Sequence, residues 1–324
     1  MGRIDTTTTK AAELYWSSSS IKINFEGESI KALLEDKNAD NYYSVIVDDQ
    51  EPYLIQPNAK KYISLADHLS KGKHSVEIYK GSEWTRGKTS FYGFQIQGNP
   101  KVLSKDLEKE RKIEFYGNSI TAAYAVNDTT GNDSPKGNLT NSYKSYAAIT
   151  ARHFNADHRI ICRSGIGIMA SWFPQIMPEL YDRLNPTNVN SKYNFSLYQP
   201  DVVVVNLCQN DSWIVKRTDH EEFKRRFGNT PPTDAFIINA YANFVAGLRA
   251  KYTKAKIICI LGSMDATKNT LWPNYVKQAV QKLEDPKIYT HFIPYKNTPG
   301  HPSVKEQRRM ADSLIAFIEQ NQIW

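Results

Sequence analysis

The chain of 324 residues lacks any apolar run approaching the roughly 20 residues that cross a bilayer, and its longest strand-like stretch, Val202 to Val205, is short. Integral-membrane, collagen-like and coiled-coil readings fall away. Cysteine is scarce: Cys162, Cys208 and Cys259 form no C-x-x-C pair, and each lies in or at the end of an apolar segment. Buried free thiols are therefore expected, not a disulfide framework. The seven histidines show no H-E-x-x-H or similar spacing, so a zinc hydrolase is not expected, and neither is any other metal or cofactor. Nucleotide binding lacks its motifs, with no G-x-G-x-x-G after the first strand of the second half and no G-x-x-x-x-G-K-[ST]. The net charge of +7 is scattered, since Lys101 to Lys112 mixes signs and Arg225-Arg226 follows Glu221-Glu222. Without a basic helix or zinc-finger spacing, no nucleic-acid partner is expected.

What remains is an ordinary globular composition, 40% hydrophobic and 23% charged. At roughly 150 residues per domain the length suggests about two domains. Residues 21 to 100 alternate apolar and polar positions in Ile21 to Phe25, Tyr43 to Val47, His74 to Tyr79 and Phe91 to Ile96, separated by turn signals. That pattern predicts a β-sandwich or jelly roll. Gly98-Asn99-Pro100 ends it, and residues 101 to 112 read as a charged linker or short helix. From residue 113 apolar strands alternate with helices. The strands are Ile113 to Tyr116, Arg159 to Cys162, Val202 to Leu207, Ile257 to Leu261 and Ile288 to Ile293. The helices cover Ser142 to Phe154, Asp234 to Tyr252, Leu271 to Leu283 and Ser303 to Gln320. Ser303 and Glu306 have capping-box spacing, and Val304, Ala311, Leu314, Ile315 and Ile318 fall on one face. This alternation predicts a parallel sheet between helical layers, with its site at the carboxyl ends of the strands. The division expected is 1–108, a sandwich with a short linker, and 109–324, the α/β domain. Asn127 to Asn141, rich in Asn, Thr and Gly, reads as a long loop.

The strand ends carry the chemistry. The first closes in Gly117-Asn118-Ser119-Ile120, where a serine at a tight turn can present its hydroxyl, although a plain helix cap has the same look. The second closes in Ser164-Gly165-Ile166-Gly167, whose glycine can bring a backbone N–H close to a ligand or simply make a turn. The third closes in Cys208-Gln209-Asn210-Asp211, and Asn210 can donate to an oxyanion or serve as a turn residue. Among the histidines only His301 follows the end of a strand of the parallel sheet. Taken together, Ser119, Gly165, Asn210 and His301 supply a nucleophile, oxyanion donors and a base in order, which is what acyl transfer requires.

With these four blocks the sequence resembles the SGNH, or GDSL-type, serine esterases. The β-rich front half with His74 to Lys80, and Ser145 to Arg152 after the nucleophile, resemble carbohydrate esterase family 2. The likeness runs over residues 20 to 320. It implies a jelly roll followed by a flavodoxin-like three-layer α/β/α hydrolase domain. The implied activity is removal of acetyl groups from plant polysaccharides such as xylan or mannan. Ser119 is then the nucleophile, His301 the base, and the oxyanion hole comprises the Ser119 and Gly165 N–H groups with the Asn210 side chain. The pattern is departed from in three ways: Asn118 stands for the usual Asp, Cys208 for a Gly, and Thr298 and Pro299 where the triad Asp is found. Some members are similarly Ser-His dyads, so the expectation here is a dyad with His301 oriented by a backbone carbonyl near Thr298. Trp172, Trp213 and Trp272 follow strands and are candidate sugar platforms. The expected partner is an acetylated carbohydrate. Two alternatives share the same residues: a carbohydrate-binding protein that has lost catalysis, and a sugar O-acyltransferase. Met1 to Ser20 is polar with no apolar core of a leader, so no export signal is expected in these residues. A polysaccharide substrate nonetheless implies a secreted or periplasmic home, with a cytoplasmic one left open. Oligomeric state is not legible.

Overall fold

A computed structural model describes residues 1–7 and 10–324. In the N-terminal half the strands are β1 (Ile4–Asp5), β2 (Ala12–Leu14), β3 (Ser20–Glu26), β4 (Ser29–Glu35), β5 (Tyr43–Val47), β6 (Tyr53–Ile55), β7 (Lys61–Ala66), β8 (Lys73–Lys80), β9 (Thr89–Gln97) and β10 (Lys101–Val102). They form two antiparallel five-stranded sheets, ordered β1-β2-β9-β4-β7 and β10-β3-β8-β5-β6. Alternation explains the sandwich: Ile30, Ala32 and Leu34 of β4 face inward, as do Val76 and Ile78 of β8. Successive side chains point to opposite faces, so one face of each sheet closes on the other. At the end of β8 the alternation stops, and Ile78, Tyr79 and Lys80 are all buried. The second half covers the outer face there: the Tyr79 hydroxyl bonds His158 Nε2 at 2.9 Å, and its ring meets Tyr143 edge-on at 5.2 Å.

Residues 101 to 112 contain no helix. Val102 pairs with Phe25, Leu103 N–H donates to the Asn24 carbonyl, and Asp106 takes Lys22 and Asn24. The edge of β3 offers those mixed charges more partners than an isolated turn of helix would.

The remaining strands, β11 (Lys112–Gly117), β12 (Asp157–Cys162), β13 (Val202–Asn206), β14 (Lys256–Leu261) and β15 (Ile288–Phe292), make one parallel sheet ordered β12-β11-β13-β14-β15. The helices are α1 (Ser119–Ala122), α2 (Tyr146–His153), α3 (Gln209–Ile214), α4 (Glu221–Phe227), α5 (Asp234–Lys251), α6 (Leu271–Lys282) and α7 (Val304–Gln320). The apolar run of β13 divides between two cores. Val203 and Val205 join α5 and α6, whereas Val202 and Val204 join α2 and α7. Burial on both faces is why these strands read as continuous apolar runs. The capping box at α7 is formed, with Ser303 N–H donating to Glu306 Oε2 at 2.8 Å. Val304, expected on the buried face of α7, is exposed; Met310 fills that face with Ala311, Leu314, Ile315 and Ile318.

The two halves interlock. Arg3, buried, donates to Glu114 and to the Tyr116 hydroxyl, both at 3.0 Å, inside the C-terminal half. Among the described residues no helix is long and apolar enough to cross a membrane. The chain crosses from β11 to β12 on one side of the sheet and then returns to β13 on the other. The crevice beyond the carboxyl ends of β11 and β13 is therefore the switch point where ligands of open α/β sheets bind.

Candidate active site

Strand β11 ends at Gly117, where a Cβ would come within 1.9 Å of Thr121 Oγ1, so only glycine permits this tight exit. Asn118 then caps α1, its side-chain oxygen accepting from Ile120 N–H at 3.0 Å. The Asn standing for the usual Asp thus keeps the acceptor that the cap requires. Ser119 opens the helix and its hydroxyl lies 2.8 Å from His301 Nε2. A base within hydrogen-bond reach of a hydroxyl is the first geometric requirement of an activated serine.

The histidine is not oriented by a backbone carbonyl. Asp133 Oδ2 lies 2.7 Å from His301 Nδ1, and Asp133 Oδ1 accepts the His301 backbone N–H at 2.6 Å. This corrects the expected dyad: Ser119, His301 and Asp133 form a complete acid–base–hydroxyl chain. The carbonyls of Thr298 and Pro299 are engaged by the Lys296 ammonium at 2.7 and 2.9 Å. The imidazole Nδ1 is already taken by the Asp133 carboxylate, and neither of those oxygens is its partner. Burial acts to raise the Asp133 carboxyl, but the His301 hydrogen bonds and charge outweigh it and hold the group below its ordinary value.

Asp133 comes from the loop between α1 and α2, well before the histidine in the chain. Asp128 organises that loop, accepting from Thr130 N–H and hydroxyl at 2.9 and 2.6 Å and from Ser134 N–H at 2.8 Å. At the contact, Gly300 has φ +66°, and a Cβ there would meet Gly131 O at 2.7 Å and Asp133 Oδ1 at 2.8 Å. Tyr124 packs edge-on against the His301 ring at 5.0 Å. Asp128 and Asp133 are the only carboxylates in Asn127 to Asn141. The signal that could have found the acid is an acidic residue in a loop leaving the nucleophile's own helix.

On the β12 side, Gly165 has φ +83° and accepts from Trp172 N–H through its carbonyl at 3.1 Å. On the β13 side, Asn210 is buried in α3; its Nδ2 donates to the Ile166 carbonyl at 2.8 Å, and its Oδ1 accepts from the Trp172 indole at 3.1 Å. An indole N–H can only donate, so it fixes which end of the amide is oxygen. One Nδ2 hydrogen is spent on Ile166, and the second remains for a ligand. Asp211, fully buried, accepts backbone N–H groups from Ile168, Met169 and Ala170 at 2.7 to 3.1 Å, tying the β12 loop to α3. Cys208 adopts φ +77°, the left-handed conformation that suits glycine, and its thiol points into the core, where burial pushes it up. All three cysteines are free and buried.

The tryptophans part company. Trp172 is 38% exposed beside Gly165 and Asn210, and Trp213 lies 6.4 Å from it, centroid to centroid, donating to Asp265 Oδ2 at 3.0 Å. His220 meets the Trp172 ring edge-on at 5.4 Å. Trp272 is only 4% exposed: α6 turns it into the larger core against Tyr275, so it cannot be the sugar platform expected of it.

Comparison with known proteins finds relatives for both halves of the chain. Residues 1–105 match the family Carbohydrate esterase 2 N-terminal, and residues 115–313 match the GDSL-like Lipase/Acylhydrolase family. The chain is 31% identical over 339 aligned residues to the cellulase/esterase CelE of Acetivibrio thermocellus; the match takes in 100% of this chain and 39% of that protein, so the chain spans well under half of CelE. A family two carbohydrate esterase from Clostridium thermocellum, solved with cellohexaose, superposes with TM-score 0.86 at 31% identity, covering 99% of this chain and 98% of that one. An acetylxylan esterase / glucomannan deacetylase of Cellvibrio japonicus is 24% identical over 308 residues, 92% of this chain and 81% of that protein.

Proposed function

The chain belongs to the family two carbohydrate esterases and is a carboxylic ester hydrolase, and from that premise we propose that it removes O-acetyl groups from polysaccharides such as xylan or mannan through an acetyl-enzyme on Ser119. The observation that carries the reading is the unbroken chain Asp133–His301–Ser119, with both links between side chains at 2.7 and 2.8 Å. Ser119 Oγ attacks the acetyl carbonyl carbon while His301 Nε2 takes its proton. Asp133 accepts from Nδ1–H, which selects the tautomer that leaves Nε2 basic and stabilises the imidazolium that forms. The Ser119 and Gly165 N–H groups and the free Nδ2 hydrogen of Asn210 receive the oxyanion. As the tetrahedral adduct collapses, the bond to the sugar oxygen breaks and His301 returns its proton to that oxygen. Water, deprotonated by the same histidine, then releases acetate.

Trp172 and Trp213 supply the wall for the sugar, since an exposed indole offers a flat apolar face to a pyranose ring. The reading as a binding protein without catalysis drew on a missing acid, and Asp133 removes that ground. Acetate release from acetylated xylan, acetylated mannan and simple acetylated sugars, with Ser119→Ala as control, tests the proposal. Release from at least one polymer by wild type and a loss of several powers of ten in the variant are expected. Equal release by the two proteins would overturn it.

A further inference from the structure

One carboxylate of the N-terminal half reaches the turn that carries Gly165. Glu83 follows β8 and is buried, yet its side chain leaves its own domain: it accepts the Ser164 backbone N–H at 2.6 Å and the Ser164 hydroxyl at 2.5 Å. Ser164 and Gly165 are the two central residues of a turn closed by Ile166 N–H donating to the Arg163 carbonyl at 3.2 Å. With φ +83° at Gly165 the turn has the mark of type II, in which glycine at the third position accommodates the flipped central peptide. That central peptide is the unit carrying Gly165 N–H. A rotation of the same peptide toward the type I arrangement would swing this N–H to the opposite side of the turn. The residue before it is braced from the same segment, because the Arg163 guanidinium stacks at 5.0 Å over the Trp84 ring.

We propose that Glu83 is a positioning residue for the hydrolase: by holding both donors of Ser164 it locks the central peptide of the turn and aims Gly165 N–H at the oxyanion. The inference rests on the reading of Gly165 as an oxyanion donor. It gives the β-sandwich a part in turnover beyond covering the second domain. Glu83 touches neither substrate nor reacting atoms and acts through the turn alone. Its loss should therefore weaken tetrahedral states and leave ground-state sugar binding intact.

The experiment compares Glu83→Ala, Glu83→Asp and Glu83→Gln with wild type and Ser119→Ala, all full length and checked for thermal unfolding. The readouts are kcat and KM for 4-nitrophenyl acetate and the inhibition constant of methylboronic acid, whose boron becomes tetrahedral on bonding to Ser119 Oγ. Deleting one oxyanion donor costs on the order of 10²–10³ in kcat, so misaiming one should cost about tenfold to hundredfold. Glu83→Ala is expected to lose that much in both kcat and boronate affinity, with KM within about twofold. Glu83→Asp, which keeps the charge but withdraws the oxygens, should fall between. Glu83→Gln should recover most of the loss, since its oxygen can take Ser164 N–H while its N–H donates to the hydroxyl. If Glu83→Ala does not fold, Glu83→Asp carries the same test. Boronate affinity and kcat within twofold of wild type in a folded Ala or Asp variant would overturn the proposal while leaving the esterase reading standing. Wild-type activity retained by Ser119→Ala would overturn both.

Discussion

Replacing Asp133 by Asn is the sharpest perturbation of the hydrogen-bond chain, because the structure dictates how the amide must sit. Asp133 Oδ1 receives the His301 backbone N–H at 2.6 Å and Oδ2 faces Nδ1 at 2.7 Å. A backbone N–H can only donate, so the asparagine oxygen must remain there and its NH₂ must face the ring. Nδ1 then becomes an acceptor and the proton moves to Nε2, which points at Ser119 as a donor and can no longer act as base. In a well-studied serine protease the same exchange lowers kcat by about 10⁴. A loss of that size corresponds to about 5 kcal/mol of transition-state stabilisation. Steady-state hydrolysis of 4-nitrophenyl acetate measures it, with thermal unfolding as the control for folding. The carboxyl sits below its ordinary value, so its contribution to stability is complete above the unfolded value near 4 and is lost as pH falls through the folded value. Asp133→Asn should therefore flatten the acid side of the stability profile as well. A fall in kcat of less than about tenfold would refute the reasoning and restore a dyad in which the carboxylate is dispensable.

Asn210→Ala should lower kcat by about 10²–10³ with little change in KM, the cost of one oxyanion donor; an effect on KM alone would make Asn210 a ground-state contact. Trp172→Phe keeps a ring at the mouth but removes one of the two bonds that hold the Asn210 amide, leaving the Ile166 carbonyl as its partner, so kcat should drop by up to about tenfold, the net worth of one hydrogen bond, while KM for an acetylated oligosaccharide holds. A rise in KM at constant kcat would assign the indole to sugar binding alone. Lys80 is fully buried with its ammonium on the carbonyls of Leu14, Tyr15 and Gly87, and burial pushes it down to about 7 against the pull of Asp36 and Glu83. Between pH 7 and the unfolded value near 10.4 the unfolded chain binds more protons, so stability rises with pH across that window. Denaturant unfolding at pH 7 and 9 should show a smaller rise in Lys80→Met than in wild type; equal rises would contradict the assignment.

How far the sequence alone reaches depends on how local each signal is. The apolar runs of β11, β13 and β14 and the periodicity of α5 and α7 follow from burial, which each segment encodes in its own residues. Strand–helix alternation predicts a parallel sheet with its site at the strand ends, and the order β12-β11-β13 is what brings Gly165, Ser119 and Asn210 to neighbouring ends. Asp133 was not legible because a loop residue carries no periodic signal, and its partner lies far along the chain. The fold of Lys296 back onto the Thr298 and Pro299 carbonyls leaves no signal in the sequence either. Trp272 illustrates the same limit: position after a strand says nothing of which side of α6 the ring takes. The helices α3 and α4 are short, so capping and packing outweigh propensity in them. Glu83 could be found only by contact, since its chemistry is completed by another domain.

The central claim is that Ser119 is the nucleophile and that the Asp133–His301 pair makes it one. A 4-nitrophenyl phosphonate ester, which phosphonylates an activated serine and expels nitrophenolate, tests both parts at once when the labelled peptide is located by mass spectrometry. A single adduct on Ser119 is expected, formed in step with loss of esterase activity and slowed by several powers of ten in Asp133→Asn. An adduct on another residue, or labelling of Ser119 at the wild-type rate in that variant, would contradict it.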